Sequence, residues 1–463
     1  MKKVLFTVLA GVLAGMTFVP ALAQDDAEKK FEFNGEVRAR YENLNNYTDL
    51  KDGLVQGDAN DDASAFTGYR VLVGLTGMFE KNVTAHVDLQ YYGFLGDATN
   101  VANADGTPIA PFLSPTAGLA LYQGWVEMGK IGGSEFGARL GRQENTYGTE
   151  LLLGDNDYYN GRAFDGVRGM WQHGSNDLNF FYYKILEGNN PYVTGLVNGV
   201  QDTSLFGATY DWNFKTMGTV GGYWIVAQQL QPTGGTKFDT YGARWNRGMM
   251  TGDKLNMFDW NIEYAMQSGD ENPTTTIGGW IGEGWFAYNF KVGDSHGRVH
   301  IGTLMTSGDK TTGTDAGNKD EDFFNLFGDF HANNRFGDMD WIDSSALSAN
   351  FDHNGPHNIT DYNIGYEHWI GSEHYVMFAY HMFSLTEANG APNDKIGNEI
   401  DLKYGYQYSK NLSFEVMLGQ MSPDSKTFVD QVAVPDPGPN DFPKVDTAHD
   451  AVTRAAIQAK VRW

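Results

Sequence analysis

The 463-residue chain contains no cysteine. That excludes a disulfide scaffold, thiolate metal sites and a cysteine nucleophile. Basic residues are scarce: 33 Lys and Arg stand against 58 Asp and Glu, for a formal net charge of −25. Phosphate binding needs a basic face, so this balance argues against nucleic acid as a partner. Long apolar runs are lacking as well. Past the N-terminal segment, nothing approaches the ~20 apolar residues that a transmembrane helix needs. Glycine and aromatic residues are abundant, at 57 Gly and 14% Phe, Trp and Tyr. That composition suits aromatic-rich strands separated by polar loops better than an α/β core.

The N-terminus sets the compartment. Lys2 and Lys3 precede an apolar run from Val4 to Val19, and Ala21-Leu22-Ala23 forms a small-x-small site. Residues 1–23 read as a secretory signal peptide, cleaved before Gln24. Residues 24–463 then form one exported domain.

That domain repeats one pattern. Val83, Ala85, Val87, Leu89 and Tyr91 alternate with Thr84, His86, Asp88 and Gln90. Phe258, Trp260, Ile262, Tyr264 and Met266 alternate with Asp259, Asn261, Glu263 and Gln267. Period two marks strands with one apolar face. A soluble sandwich would alternate in the same way, but the connections separate the two folds. Tight turns at Glu80-Lys81, Lys130 to Gly133, Gly174 to Asn176, Ile370 to Ser372 and Ser409-Lys410 alternate with long ones at 44–65, 95–118, 144–162, 188–201, 307–356 and 422–449. Short periplasmic turns and long external loops define a transmembrane antiparallel β-barrel of about 18 strands, with about 16 as the alternative. The last strand places Ala455, Ile457, Ala459, Val461 and Trp463 on one face. An aromatic-terminated strand resembles the signal read by the barrel-assembly machinery.

A family resemblance enters here. Gly141 to Trp171 reads GRQENTYGTELLLGDNDYYNGRAFDGVRGMW. It resembles a block of the alginate-export family of outer-membrane porins. Phe323 to Trp341 and Gly397 to Gln420 resemble two further blocks of that family, more loosely. The resemblance implies a monomeric passive channel for a polar solute, alginate-like or otherwise, in contact with lipid and lipopolysaccharide.

In such a barrel the apolar face meets lipid and the polar face lines the pore. Arg38, Arg40, Arg70, Arg139, Arg168 and Arg244 fall on the inner face, and Arg142 and Arg162 flank the 144–162 loop. Guanidinium groups in a pore favour anions and can fork onto a carboxylate. Inner acids are also present, among them Glu36, Glu42, Asp88, Glu127, Asp259, Glu263 and Glu415. Two readings therefore stand: arginines that guide an anionic solute, and arginines that brace the wall against those acids. No cofactor is expected. Asp315, Asn318, Asp320 and Asp322 offer loop oxygens suited to calcium, without EF-hand spacing. The 307–356 loop suits a constriction folded over or into the pore.

Enzyme motifs fail on context. Gly293-Asp294-Ser295-His296-Gly297 matches G-x-S-x-G but sits in a strand–strand turn, where the motif needs a strand followed by a helix. Gly355 and Pro356 prevent the helix that would align His353 with His357. Tyr91, Trp212, Tyr223, Trp224, Trp245, Tyr288, Trp369 and Tyr380 read as membrane-interface girdles. The reading is an outer-membrane, non-enzymatic channel for a polar, anionic solute. The alternative is a barrel whose lumen is occluded by loops and which serves a structural or surface-interaction role.

Overall fold

The computed structural model describes residues 30–45, 64–95, 118–158, 160–186, 202–230, 235–252, 254–309, 318–329, 337–338, 357–388, 393–424 and 451–463. The expected signal peptide lies outside the described residues.

The barrel strands in chain order are β1 (Lys30–Asn45), β2 (Ser64–Phe79), β3 (Val83–Phe94), β4 (Gly118–Met128), β5 (Phe136–Gln143), β6 (Phe164–His173), β7 (Asn176–Leu186), β8 (Asp202–Asn213) and β9 (Thr219–Leu230). They continue with β10 (Lys237–Arg247), β11 (Phe258–Asn272), β12 (Trp280–Val292), β13 (Ser295–Thr306), β14 (Ile359–Ile370), β15 (His374–Leu385), β16 (Lys395–Gln407), β17 (Leu412–Pro423) and β18 (Val452–Arg462). Each pairs antiparallel with the next, and β1 pairs with β18, closing an 18-strand barrel. Closure leaves no unpaired edge, which the bilayer core would penalise at every backbone group. The short turns and long connections fall where the sequence pattern puts them. Two short elements decorate the frame: the hairpin Met250–Thr251 with Lys254–Leu255, and Thr275–Ile277 beside Lys319–Asp320.

The two faces sort as period two demands. Val37, Tyr41, Val87, Leu140, Val167, Ile262 and Tyr264 are exposed toward lipid. Glu36, Arg38, Arg40, Glu42, Asp259 and Glu263 are buried on the inner side. Two of the expected girdle aromatics are corrected. Tyr223 is 6% exposed and turns inward, where its hydroxyl donates to Glu263 at 2.9 Å. Trp369 shares the inner side with Glu367 and stacks on His296, ring centroids 4.5 Å apart. Trp212, Trp224, Trp245 and Tyr288 do face outward.

The inner face is not polar throughout. Phe181, Tyr183, Leu205, Ile225 and Phe238 on β7–β10, with Ile281, Leu304, Ile359, Phe383 and Ile396 further round, form an apolar band. Leu151, Leu152, Leu153, Phe323, Phe324 and Phe327, from two connections, complete the cluster from within the barrel.

Candidate functional site: the loop-filled lumen

The first inserted segment joins β5 to β6. The second, residues 318–329, belongs to the long connection between β13 and β14. They meet in a parallel bridge between Leu153 and Phe327. The amide of Gly154 donates to the Phe327 carbonyl at 2.7 Å, that of Phe327 to Leu152 at 2.9 Å, and that of Asp329 to Glu150 at 2.9 Å. A β-carbon at Gly154 would stand 2.8 Å from the Asp329 backbone nitrogen, so the close approach requires glycine. On the wall, the Gln267 side chain donates to the Phe324 carbonyl at 2.7 Å and accepts from its amide at 2.9 Å. An amide side chain thus replaces a strand partner for a buried backbone. The expectation that the 307–356 loop turns inward holds for residues 318–329. The 144–162 loop enters as well.

The tip of the first segment, Asp157 and Tyr158, rests on the β18–β1–β2 wall. Arg38 Nη1 donates to the Asp157 carbonyl at 2.7 Å. Arg70 pairs with the Asp157 carboxylate, and Arg462 Nη2 reaches its other oxygen at 3.3 Å. Glu36 lies behind, 3.4 Å from Arg38, 3.6 Å from Arg70 and 2.7 Å from Arg462. Arg70 also donates to Gln90 at 2.6 Å. Arg40 pairs with Glu42 at 2.9 Å and lies 3.6 Å from the centre of the Tyr158 ring. Arg454 pairs with Glu42 at 2.5 Å and lies 5.4 Å from the same ring.

The remaining arginines are spread around the barrel. Arg139 forks onto Glu127 at 2.6 and 2.8 Å over the face of Trp125, 3.8 Å away. Arg168 donates to Asn179 at 3.0 Å. Arg244 forks onto Asp211 at 2.6 and 3.2 Å and stands over Tyr147. Arg162 ties the two inserted segments together, donating to the Phe327 carbonyl at 2.6 Å. Arg142 is corrected. It shares the face of the lipid-exposed Leu140 and forks onto Asp165 at 2.5 and 2.8 Å, both half-exposed. The flanking residue on the pore side is Gln143, fully buried.

A cavity of about 330 Å³ lies along β12 to β16, lined by Glu283, Trp285, Arg298, Asp361, Glu367 and Lys403 among others. Arg298 escaped the sequence reading. It pairs with Asp259 at 2.8 Å and with Glu367. His381, 1% exposed, lies between Asp361 at 2.9 Å and Asp401 at 3.7 Å. Tyr122 was missed too. A bulge sets Asp88 opposite Gln123 but Leu89 opposite Leu121, so the extra residue turns inward and donates to Glu144 at 2.5 Å.

In the inserted segment, burial alone would raise the Asp157 carboxyl, but the guanidiniums of Arg70 and Arg38 hold it below the usual range. Burial raises Asp155, and the neighbouring Asp157 charge raises it further. Glu144 is raised by burial against the hydrogen bond from Tyr122.

Of the expected calcium ligands, Asp315 lies outside the described residues. Asp320 and Asp322 accept backbone amides, from Asp322 at 2.9 Å and Asp309 at 2.7 Å. Among the described residues, Glu150, Asp155 and Asp329 bring carboxylate oxygens within 4.8 Å of one another, a spacing able to hold a hard cation.

A closed 18-strand barrel with a lipid-facing apolar side and a charged, loop-narrowed lumen defines an outer-membrane porin. Solved porins share the fold. Pseudomonas aeruginosa OccK9 (OpdG) superposes with a TM-score of 0.56 at 12% identity, covering 94% of this chain and 99% of that one. P. aeruginosa OpdK, solved with vanillate, gives 0.54 at 10% identity, covering 93% and 99%. A BenF-like porin from Pseudomonas fluorescens Pf-5 gives 0.53 at 11%, covering 94% and 98%. By sequence, the chain belongs to the alginate export family, whose model matches residues 83–423. No curated protein matches its sequence. The protein is thus an outer-membrane channel for solute passage.

Proposed function

We propose that the channel passes a polar, carboxylate-bearing solute by diffusion, an alginate-like polysaccharide or its oligomers being the model substrate. One observation carries this reading: five guanidiniums, Arg38, Arg40, Arg70, Arg454 and Arg462, are gathered on three adjacent strands. Forked donors in a low-dielectric wall select carboxylates over neutral sugars. The protein works as a monomer, performs no covalent chemistry and needs no cofactor. It enters the membrane after signal-peptide removal, through assembly machinery that engages the strand ending in Trp463, and sits among phospholipid and lipopolysaccharide.

A second reading is supported by the inserted segments: a lumen closed by loops, in a barrel with a structural or surface-interaction role. Conductance and reversal potential in an asymmetric KCl gradient separate the two. An anion-selective current that loses selectivity when Arg38, Arg40, Arg139 and Arg168 are changed to Ala supports the anionic channel. A cation-selective current unchanged by those substitutions leaves the arginines as braces. Absence of current favours the occluded barrel.

A further inference from the structure

Asp157 is held unlike the acids that grow from the wall. Glu36, Glu42, Glu127 and Asp259 grow from the wall strands, so their partners are fixed by β-register. Asp157 arrives on a loop tip. Its surroundings are a compact turn: its amide donates to the Asp155 carboxylate at 3.1 Å, Asn156 has φ 49°, and Gly161, at φ 70°, donates to the Asn156 carbonyl at 3.2 Å. The turn offers one carboxylate to guanidiniums from three strands. One oxygen takes Arg70 and lies 4.0 Å from Arg38, and the other takes Arg462. Arg38 and Arg70 are almost fully buried, yet the Asp157 side chain keeps 34% of its surface exposed. About a third of the seated side chain is therefore open.

These guanidiniums meet Asp157 as they would meet the carboxylate of a passing solute. If Asp157 withdraws, Glu36 is the carboxylate that remains within 3.6 Å of Arg38, Arg70 and Arg462 alike among the described residues. A second carboxylate entering at that moment replaces like with like, so the exchange costs little. This suits conduction, which needs binding strong enough to admit the solute and weak enough to release it. A tethered group competes at an effective concentration in the millimolar range.

We propose that Arg38, Arg70 and Arg462 form a carboxylate-binding site in the lumen wall, that Asp157 is its built-in competitor, and that a carboxylate-bearing solute passes by displacing Asp157. This rests on the anionic-solute reading above and names the site and the gate through which it operates.

The test measures block of single-channel current by glucuronate, with glucose as the neutral control, on the full chain in planar bilayers. Asp157→Asn should lower the half-blocking concentration of glucuronate about fivefold or more, because the site is no longer shared, and leave glucose block unmoved. The chain has no native cysteine, so Asp157→Cys supplies a single thiol. It should behave like Asp157→Asn. Reaction after insertion with sulfonatoethyl methanethiosulfonate should restore the original value, and a trimethylammonium reagent should not. A merely structural loop contact would not follow the sign of the added charge. Equal or weaker glucuronate block in both variants, in barrels that still shift on heating in gels, overturns the proposal. If Arg70→Ala then abolishes the block, the carboxylate site stands and the competitor alone fails. If glucuronate blocks neither the native channel nor Asp157→Asn and the current is cation-selective, the anionic-solute reading itself fails.

Discussion

Asp155 and Asp157 sit two residues apart in one loop, and their carboxyl groups are driven in opposite directions. For Asp157 the guanidiniums of Arg70 and Arg38 outweigh burial, so its folded pKa lies below the free value of about 3.9. Docking of the tip therefore gains stability above that value and loses it as pH falls through the depressed folded one. Asp155 is raised, first by burial and then by the Asp157 charge, so docking gains when it protonates. The charged groups that act on Asp157 include Arg38, Arg70, Arg462, Lys460, Asp155 and Glu144, with Glu36 behind the arginines. On acidification Asp155 takes up its proton first and tightens the loop, and Asp157 follows only below the free-aspartate range. The difference in reversal potential between the native channel and Asp157→Asn should persist as pH falls to the free-aspartate range, about 3.9, and close only below it. Closure of that difference near pH 5 to 6 would show that the arginines do not hold the carboxylate. At this scale the sequence was partly legible. Parity identified Arg38, Arg40, Arg70, Arg139, Arg168 and Arg244 as inward-facing, and most of their partners are wall acids that parity also turned inward. Parity carries no information on loop residues such as Asp157. Arg142 departs because it shares the outward parity of Leu140; only its place beside a loop suggested the pore.

The barrel strands were legible because lipid on one side forces strict alternation. The inserted segments were less so. The 307–356 connection was marked by its length, but nothing local marked 144–162 as a resident of the lumen. The missed signal lay on the opposite wall. Phe180-Phe181-Tyr182-Tyr183 on β7 and Tyr223 to Ala227 on β9 are apolar on both faces. A strand facing lipid on one side and water on the other has no use for that, so a second apolar layer must cover the inner side. Leu151, fully buried, and Leu153, 1% exposed, supply part of that layer. Leu151→Ala should cost about 2–5 kcal/mol of segment docking through lost contacts and a cavity. The segment is held by other contacts as well, so the barrel should remain folded while the segment spends more time away from the wall. The expected readout is a larger and noisier single-channel conductance with an unchanged heat-shifted gel band. Conductance identical to the native level would mean that this layer does not narrow the conduction path.

Over the whole molecule, one seam decides whether the sheet becomes a barrel. β1 and β18 are brought together from opposite ends of the sequence, with Glu36 opposite Arg462 and Val37 opposite Val461. Their last rung is a reciprocal pair: Gly35 donates to the Trp463 carbonyl at 3.1 Å and Trp463 donates to the Gly35 carbonyl at 3.2 Å. The indole of Trp463 lies against the bare α-carbon of Gly35, where a β-carbon would overlap the ring. The salt bridge from Arg462 to Glu36 crosses the same seam one residue further on. Glycine in a strand marks this kind of close approach. The sequence marked Trp463 as a terminal aromatic but could not show that Gly35 is its seat, since the two positions stand at opposite ends of the chain. Gly35→Val should displace the indole, break the last rung and shift the Arg462–Glu36 pair. An open seam exposes strand edges that lipid cannot satisfy. The expected outcome is loss of most of the heat-shifted folded band on insertion into lipid vesicles. Trp463→Ala, which removes the ring and keeps the backbone rung, should slow insertion without abolishing it. If Gly35→Val folds as well as the native chain, the seam is held by the remaining β1–β18 rungs and the Trp463 contact serves assembly rather than closure.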